Sequence, residues 1–131
     1  MQERILVIES DQSLREMLSA VLNKEGYLTK TAMNLKEGES ELEGRQFDFD
    51  LVMVGLFDPK VEKGGIDADS FLDWLNRSRP SCDLLVVTEP PSPENLEKLE
   101  NHGFRNVASP SDVGKLLKVV RIILSRLMVT N

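Results

Sequence analysis

The chain has 131 residues, of which 40% are hydrophobic and 29% charged, and its formal net charge is -6. This length suits one domain around one core, and we expect a single domain over 1–131 with its core at about 4–127. The negative charge argues against nucleic acid as a partner, because phosphate binding needs clustered Lys and Arg. A single cysteine excludes an internal disulfide and favours a cytoplasmic location, and no apolar run is long enough to cross a membrane.

Strand and helix patterns alternate along the whole chain. Short apolar runs are typical of parallel strands buried on both faces, and they predict strands at 4–8, 27–31, 50–56, 84–87 and 106–108. Helical spacing of apolar residues predicts helices between 11 and 26 and over 35–42, 67–76, 92–103 and 112–127. We expect Gly38 to interrupt the second helix, and both Leu96 and Leu99 to face the core. Five strand–helix pairs predict a doubly wound, five-stranded parallel sheet with helices on both faces.

Polar or small residues follow four of the predicted strands. They are Glu9 and Ser10 after the first strand, Gly55 after the third, Thr88 after the fourth, and Ser109 and Pro110 after the fifth. Functional groups of doubly wound sheets gather at the carboxyl ends of the strands. We therefore expect these residues to converge on one pocket.

Six short segments carry a resemblance to a known family. They are Ile5-Leu6-Val7-Ile8-Glu9-Ser10-Asp11, Gly26-Tyr27, Thr31-Ala32, Gly65-Ile66-Asp67-Ala68, Val87-Thr88 and Ser109-Pro110. In order and spacing they resemble the receiver domain of two-component response regulators over about residues 4–127. The resemblance implies a flavodoxin-like (CheY-like) fold and a phosphorelay signalling role. It also implies a partner that is another signalling protein or an attached output domain.

The segments depart from the family where its chemistry occurs. In receivers, first-strand acids hold magnesium, a third-strand aspartate accepts a phosphoryl group, and a hydroxyl and a lysine stabilise that group. Here the resemblance places Glu9 at one acid position, Ser10 at the second and Gly55 at the acceptor. Ser109 takes the place of the lysine. Thr88 matches the family's hydroxyl position, and Pro110 matches the proline that follows the lysine. Because glycine has no nucleophile, the resemblance implies a pseudo-receiver that is not an enzyme. We expect no cofactor, with Mg²⁺ binding weak or absent.

Three alternatives remain open at this pocket. Asp58, three positions after Gly55, is a displaced acceptor candidate, although an Asp-Pro turn also explains it. Glu9 and Asp11 are weak metal candidates. Asp11 also suits a helix cap, Ser10 is a rival for that cap, and a capping box could start at Ser13. A vacated pocket would also suit a small-ligand sensor.

The family has an aromatic switch residue on its fifth strand, and Asn106 occupies that position in this chain.

The last predicted helix offers an interaction face. Ile122 points almost opposite its core-facing stripe and Val119 lies on the flank, among basic residues. The fourth helix is acidic. The face is expected to comprise Val119, Ile122, Lys115, Arg126, Glu94 and Glu97. Opposed charges around exposed aliphatic residues suit a homodimer through the fourth helix, fifth strand and fifth helix, and an ordinary solvated face is the alternative.

Two ring side chains are given structural interpretations. His102, next to Gly103, is interpreted as a solvated residue at a helix end, without a nearby Ser, Cys or carboxylate constellation that would make it a catalytic base. Trp74 in the third helix is interpreted as partly buried packing, with a contact surface as the alternative. Neither residue is assigned chemistry.

Overall fold

The computed structural model describes residues 2–44, 48–55, 67–78, 82–88 and 93–129, the last four of them as backbone only. Strands and helices alternate along these residues. The strands are β1 (Arg4–Ile8), β2 (Leu28–Ala32), β3 (Leu51–Val54), β4 (Asp83–Val87) and β5 (Val107–Ala108). The helices are α1 (Gln12–Lys24), α2 (Leu35–Glu43), α3 (Ala68–Ser78), α4 (Pro93–Asn101) and α5 (Val113–Val129).

The strands form one parallel sheet in the order β2-β1-β3-β4-β5. Alternate residues of each strand face opposite sides, so Leu6 and Ile8 join one core layer and Ile5 and Val7 the other. Residues of α2, α3 and α4 cover the first layer, and α1 and α5 cover the second. This confirms the predicted doubly wound fold. Its order reverses between β1 and β3, which places the topological switch point at their carboxyl ends.

Four helices begin at Asp or Asn caps. The capping side chains of Asp11, Asn34, Asp67 and Asp112 accept hydrogen bonds from the main-chain N–H groups of Leu14, Glu37, Ser70 and Lys115 at 2.8–3.1 Å. Each bond satisfies an N–H that the helix itself leaves unpaired. At α1 this settles the choice in favour of Asp11, and the capping box predicted at Ser13 is wrong.

Other predicted details also differ from the structure. The second strand begins at Leu28 rather than at residue 27, and α2 runs through Gly38 without interruption. Leu99 is buried, whereas Leu96 was expected in the core and is 41% exposed. Trp74 packs partly buried beside Phe71, as predicted. No helix within the described ranges is long and apolar enough to span a membrane.

Candidate functional site

The sheet register brings the predicted site residues to one edge. Ile8 pairs with Val54, and Val87 pairs with Ala108. The residues that follow these strands are therefore neighbours, as the main-chain hydrogen bond from Gly55 N–H to the Ile8 carbonyl (3.1 Å) shows. In the same way, Thr88 N–H donates to the Ala108 carbonyl at 3.0 Å. The carboxyl ends of β1, β3, β4 and β5 thus lie at one edge of the sheet, and that their residues form one pocket stays a prediction.

Gly55 faces the side chain of Glu9. A Cβ atom built on Gly55 would lie 2.6 Å from Glu9 Oε1, 3.3 Å from its Cδ and 3.6 Å from Oε2. A separation of 2.6 Å is well inside the ordinary contact distance between carbon and oxygen. The space that a side chain at position 55 would enter is therefore filled by a carboxylate from the neighbouring strand.

Glu9 is the one buried charged or polar side chain among the described residues, at 4% exposure. Its Oε2 accepts hydrogen bonds from Asp11 N–H (3.0 Å) and from the Ser10 hydroxyl (3.5 Å). Arg15 Nη1 donates to the Glu9 carbonyl at 2.8 Å and brings a positive charge beside the residue. Burying a carboxylate is costly unless hydrogen bonds compensate it. These contacts explain how the chain tolerates Glu9 in this place.

The residues that follow β4 and β5 carry hydroxyl groups and no positive charge. Thr88 is half-buried at the end of β4. Ser109 Oγ lies 2.7 Å from Ser111 Oγ and accepts from Ser111 N–H at 3.2 Å. Ser109 and Pro110 therefore belong to a local turn that leads into α5, and the hydroxyl of Ser109 takes part in that turn.

Asn106 is held against the neighbouring strand. Its Nδ2 donates to Asp83 Oδ1 and to the Leu84 carbonyl, both at 3.3 Å. The Asn106 carbonyl accepts from Val86 N–H at 3.0 Å. These bonds tie the start of β5 to β4 through both main chain and side chain, at the position where the resemblance implies an aromatic switch residue.

The described residues do not fit a magnesium site. Mg²⁺ requires several oxygen ligands in octahedral geometry, and within the described ranges no group of three or more His, Cys, Asp or Glu side chains could hold a metal ion. Asp11 Oδ1 caps α1, and Glu9 lies against Gly55 while accepting from Asp11 N–H. The expectation of weak or absent Mg²⁺ binding remains a prediction for metal titration.

Two predicted residues lie outside what the structure describes. Asp58, the displaced acceptor candidate, is not among the described residues, and the side chain of Arg126 is not either. The small-ligand alternative needs a vacated pocket beside Gly55. The carboxylate lies in that space instead, which argues against this alternative.

The helices of the predicted interaction face expose one apolar residue that sequence reasoning had placed in the core. Ile122 on α5 is 45% exposed, as its helical position predicts, and Leu96 on α4 is also exposed. Val119 packs partly against the core and presents less surface. The helices α4 and α5 lie on opposite faces of the sheet beside its edge strand β5. The exposed charged residues on these two helices include Glu94, Glu97 and Glu100 on α4 and Lys115, Lys118 and Arg121 on α5.

The structure places His102 at the end of α4, as predicted, but the prediction that it is solvated is wrong. Its side chain is only 16% exposed, with Nε2 3.1 Å from Asp69 Oδ1 and Nδ1 3.1 Å from Asp73 Oδ1. Asn76 Nδ2 also donates to the His102 carbonyl at 2.6 Å, and Lys98 Nζ lies 3.5 Å from Asp69 Oδ2. The imidazole thus joins the end of α4 to α3. The i, i+4 spacing of the two aspartates was visible in the sequence, but their proximity to a residue about thirty positions later depends on the packing of the two helices.

Sequence comparison gives a distant similarity to one signalling protein. No family model matches the chain. The chain is 26% identical over 120 residues to the CAI-1 autoinducer sensor kinase/phosphatase CqsS of Vibrio cholerae. The aligned region is 91% of this chain but 17% of the length of that curated relative.

Structural comparison gives close matches. A response regulator receiver domain protein (CheY-like) from Methanospirillum hungatei JF-1 superposes with a TM-score of 0.83 at 22% identity, covering 98% of each chain. The signal receiver domain of an HD domain-containing protein from Pseudomonas fluorescens Pf-5 gives 0.82 at 21% identity, again over 98% of each chain. The Vibrio cholerae chemotaxis protein CheY4 gives 0.80 at 20% identity, over 94% of this chain and 99% of that one. The chain therefore has the fold of receiver domains.

Proposed function

We propose that this domain is a receiver-like module of two-component signalling that acts by protein–protein contact and does not accept a phosphoryl group, because the usual acceptor position is Gly55. The observation that carries the proposal is the pair formed by Gly55 and Glu9: the acceptor position has no side chain, and a buried carboxylate fills the space in front of it. Phosphoryl transfer depends on a positioned nucleophile and on compensating positive charge. Position 55 offers no nucleophile.

Three further observations support the proposal. The fold is that of receiver domains, and the chain is similar to part of a sensor kinase/phosphatase. Asn106 is bonded to β4 at the family's switch position, which suits a domain held in one state. The partner is then another signalling protein, a domain attached to this one, or a second copy of the chain.

The first test is phosphorylation itself. The domain is incubated with Mg²⁺ and a small-molecule phosphodonor, and its intact mass is recorded beside a receiver that becomes labelled. We expect no phosphate adduct. A hydroxylamine-sensitive adduct that disappears in Asp58→Asn would support the displaced acceptor instead and would refute the proposal.

The surface around Leu96 and Ile122 is the contact surface we propose for a second copy of this chain. Acidic side chains lie on α4 and basic ones on α5, so a two-fold axis would bring unlike charges together. In this proposal the exposed aliphatic side chains form the core of the interface and the charged side chains of the two helices form its rim. The same face is available to a different signalling partner if no dimer forms.

Solution mass measured against concentration tests the dimer. We expect the mass of the unmodified domain to rise with concentration. The variants Leu96→Glu and Ile122→Glu should keep the mass of a monomer. Met33→Glu is the matched control, because Met33 is 53% exposed just after the opposite edge strand, β2. A monomeric mass at every concentration would refute the dimer and leave the proposal of a signalling module with a different partner.

A further inference from the structure

His102 is the one histidine of the chain, and each of its ring nitrogens faces a carboxylate. Nε2 lies 3.1 Å from Asp69 Oδ1, and Nδ1 lies 3.1 Å from Asp73 Oδ1. The imidazole is 16% exposed, whereas both aspartates are well exposed on α3. An ionised carboxylate accepts hydrogen bonds and donates none. Both ring nitrogens therefore face groups that need a donor.

This arrangement distinguishes the two charge states of the imidazole. A neutral ring has one N–H group, and its other nitrogen carries a lone pair. In the position that the structure shows, that lone pair would face an anionic oxygen of Asp69 or Asp73. A protonated ring has an N–H group for each aspartate, and its positive charge strengthens both contacts. The geometry therefore suits the imidazolium form.

The charged groups around the ring come from both helices. Asp69 and Asp73 are four positions apart on α3, where like charges destabilise a helix. On α4, Lys98 Nζ lies 3.5 Å from Asp69 Oδ2, the oxygen that the ring does not contact. Arg77 Nε donates to the main-chain carbonyl of Asp73 at 3.3 Å. A positive charge on the ring, between the two aspartates, would reduce their repulsion.

We infer that His102 forms a proton-dependent contact between α3 and the end of α4, which is strong when the imidazole is protonated and weak when it is neutral. Asn76 Nδ2 donates to the His102 carbonyl at 2.6 Å, so part of the attachment does not depend on the proton. A contact that holds a proton more tightly when formed than when broken is strengthened by acid. Its stabilisation is present at acid pH and is lost as pH rises through the deprotonation of the docked ring.

Urea unfolding at about pH 5.5 and about pH 8 tests the contact, because histidine is the side chain that ordinarily changes charge in this range. His102→Gln is the reference at each pH, since glutamine keeps hydrogen-bonding groups but does not titrate. Charge-assisted hydrogen bonds are roughly twice as strong as neutral ones. We expect the folded-to-unfolded ratio, relative to His102→Gln, to fall about fivefold from the lower to the higher pH. An unchanged or rising ratio would overturn the inference.

Two exposed positions provide matched variants. Asp73→Asn puts an amide opposite Nδ1, and an amide can donate to the lone pair of a neutral ring, so the pH dependence should largely disappear. Lys98→Ala leaves both ring contacts in place and should keep it. Full pH dependence in Asp73→Asn, or its loss in Lys98→Ala, would contradict the inference. Because both side chains are well exposed, these variants decide the question even if His102→Gln does not fold.

Hydrogen exchange reads out the attachment of α4 directly. Rates in the last turn of α4 are divided by the rates of an unstructured chain at the same pH, which leaves the frequency of local opening. We expect opening to become more frequent from about pH 5.5 to about pH 8 in the unmodified domain and to stay constant in His102→Gln. Equal changes in the two proteins would assign the pH effect to other groups and overturn the inference.

A consequence for self-association rests on the proposed function, because α4 also carries the exposed Leu96. We expect the unmodified domain to associate more weakly at about pH 8 than at about pH 5.5, and His102→Gln to show no such difference. A monomer at both pH values would refute the proposed dimer alone, since unfolding and exchange still decide whether the His102 contact depends on a proton. A dimer of the same strength at both pH values would refute the link between the contact and association.

Discussion

Gly38 in α2 lies directly against the side chain of Ile8 in β1. A Cβ atom on Gly38 would overlap Ile8 Cδ1 and would lie 2.9 Å from Ile8 Cγ1. Both residues are buried, in the layer that α2 and α3 share with the sheet. The missing side chain allows α2 to approach the sheet closely at the strand that carries Glu9 on its end.

This contact predicts that Gly38→Ala destabilises the domain. Alanine is favoured over glycine within a helix by about 1 kcal/mol, but overpacking a core costs about 1–3 kcal/mol. We expect a lower free energy of unfolding in urea, and a smaller effect of Gly38→Ala when Ile8→Val removes the overlapping methyl group. An alanine variant more stable than the unmodified domain would show that α2 shifts freely and that the contact is not limiting.

The fold could be predicted because its signals are local and repeated. Apolar runs such as 4–8 and the broad apolar stripe of the last helix each indicate one element, and their alternation limits the topology. The role of Gly38 could not be predicted, since a glycine within a helical pattern indicates a weak helix unless the opposing residue, Ile8, is known. Leu96 was misplaced for a related reason: helical spacing gives a face but does not say how wide the covered part of it is.

The residues of the candidate site could be predicted from the sequence, but the contacts between their side chains could not. Strand ends identified Glu9 and Gly55, because parallel strands bring their carboxyl ends to one edge. That the longer carboxylate would lie across the glycine depends on side-chain packing between two strands far apart in sequence. The cluster around His102 escaped notice for the same reason.

Asp11 should contribute stability as the cap of α1. Its Oδ1 accepts from Leu14 N–H at 2.9 Å, and loss of such a cap costs about 1 kcal/mol. We expect this loss in urea unfolding of Asp11→Ala, and little loss in Asp11→Asn, which keeps an acceptor oxygen. Ser13→Ala should have almost no effect. A larger loss in Ser13→Ala than in Asp11→Ala would restore the alternative capping box.

Asp67 at the start of α3 should make stability depend on acid pH. The hydrogen bond from Ser70 N–H, and after it the Ser70 side chain, lowers the pKa of Asp67 from 3.8. A folded-state pKa below the unfolded value means that the stabilisation is present above that value and is lost as pH falls through the folded-state pKa. The effect is small, because the carboxylate is fully exposed and screened by solvent.

Asp67→Asn isolates this effect, since it keeps the capping oxygen but cannot ionise. We expect the difference in unfolding free energy between the unmodified domain and Asp67→Asn to be largest at neutral pH and to shrink as pH falls below 3.8. A difference that grows under acid would have the wrong sign for a lowered pKa.

His102 should hold the end of α4 to α3. Each ring nitrogen lies 3.1 Å from a carboxylate oxygen, one of Asp69 and one of Asp73. Removing a partly buried hydrogen-bonded group costs about 1 kcal/mol, and we expect His102→Ala to lose about that much. We also expect faster hydrogen exchange in the last turn of α4, because the turn loses its attachment to the neighbouring helix.

Lys98→Ala is the control for this contact. Lys98 and Asp69 are both well exposed, and their 3.5 Å ion pair belongs to a class that contributes about 0–1 kcal/mol. We expect the exchange pattern of Lys98→Ala to match that of the unmodified domain.

Because α4 carries Leu96 of the proposed contact surface, faster exchange in His102→Ala should be accompanied by weaker self-association. Unchanged exchange in His102→Ala would mean that apolar packing of Leu99 alone holds the helix, and that the imidazole is incidental to it.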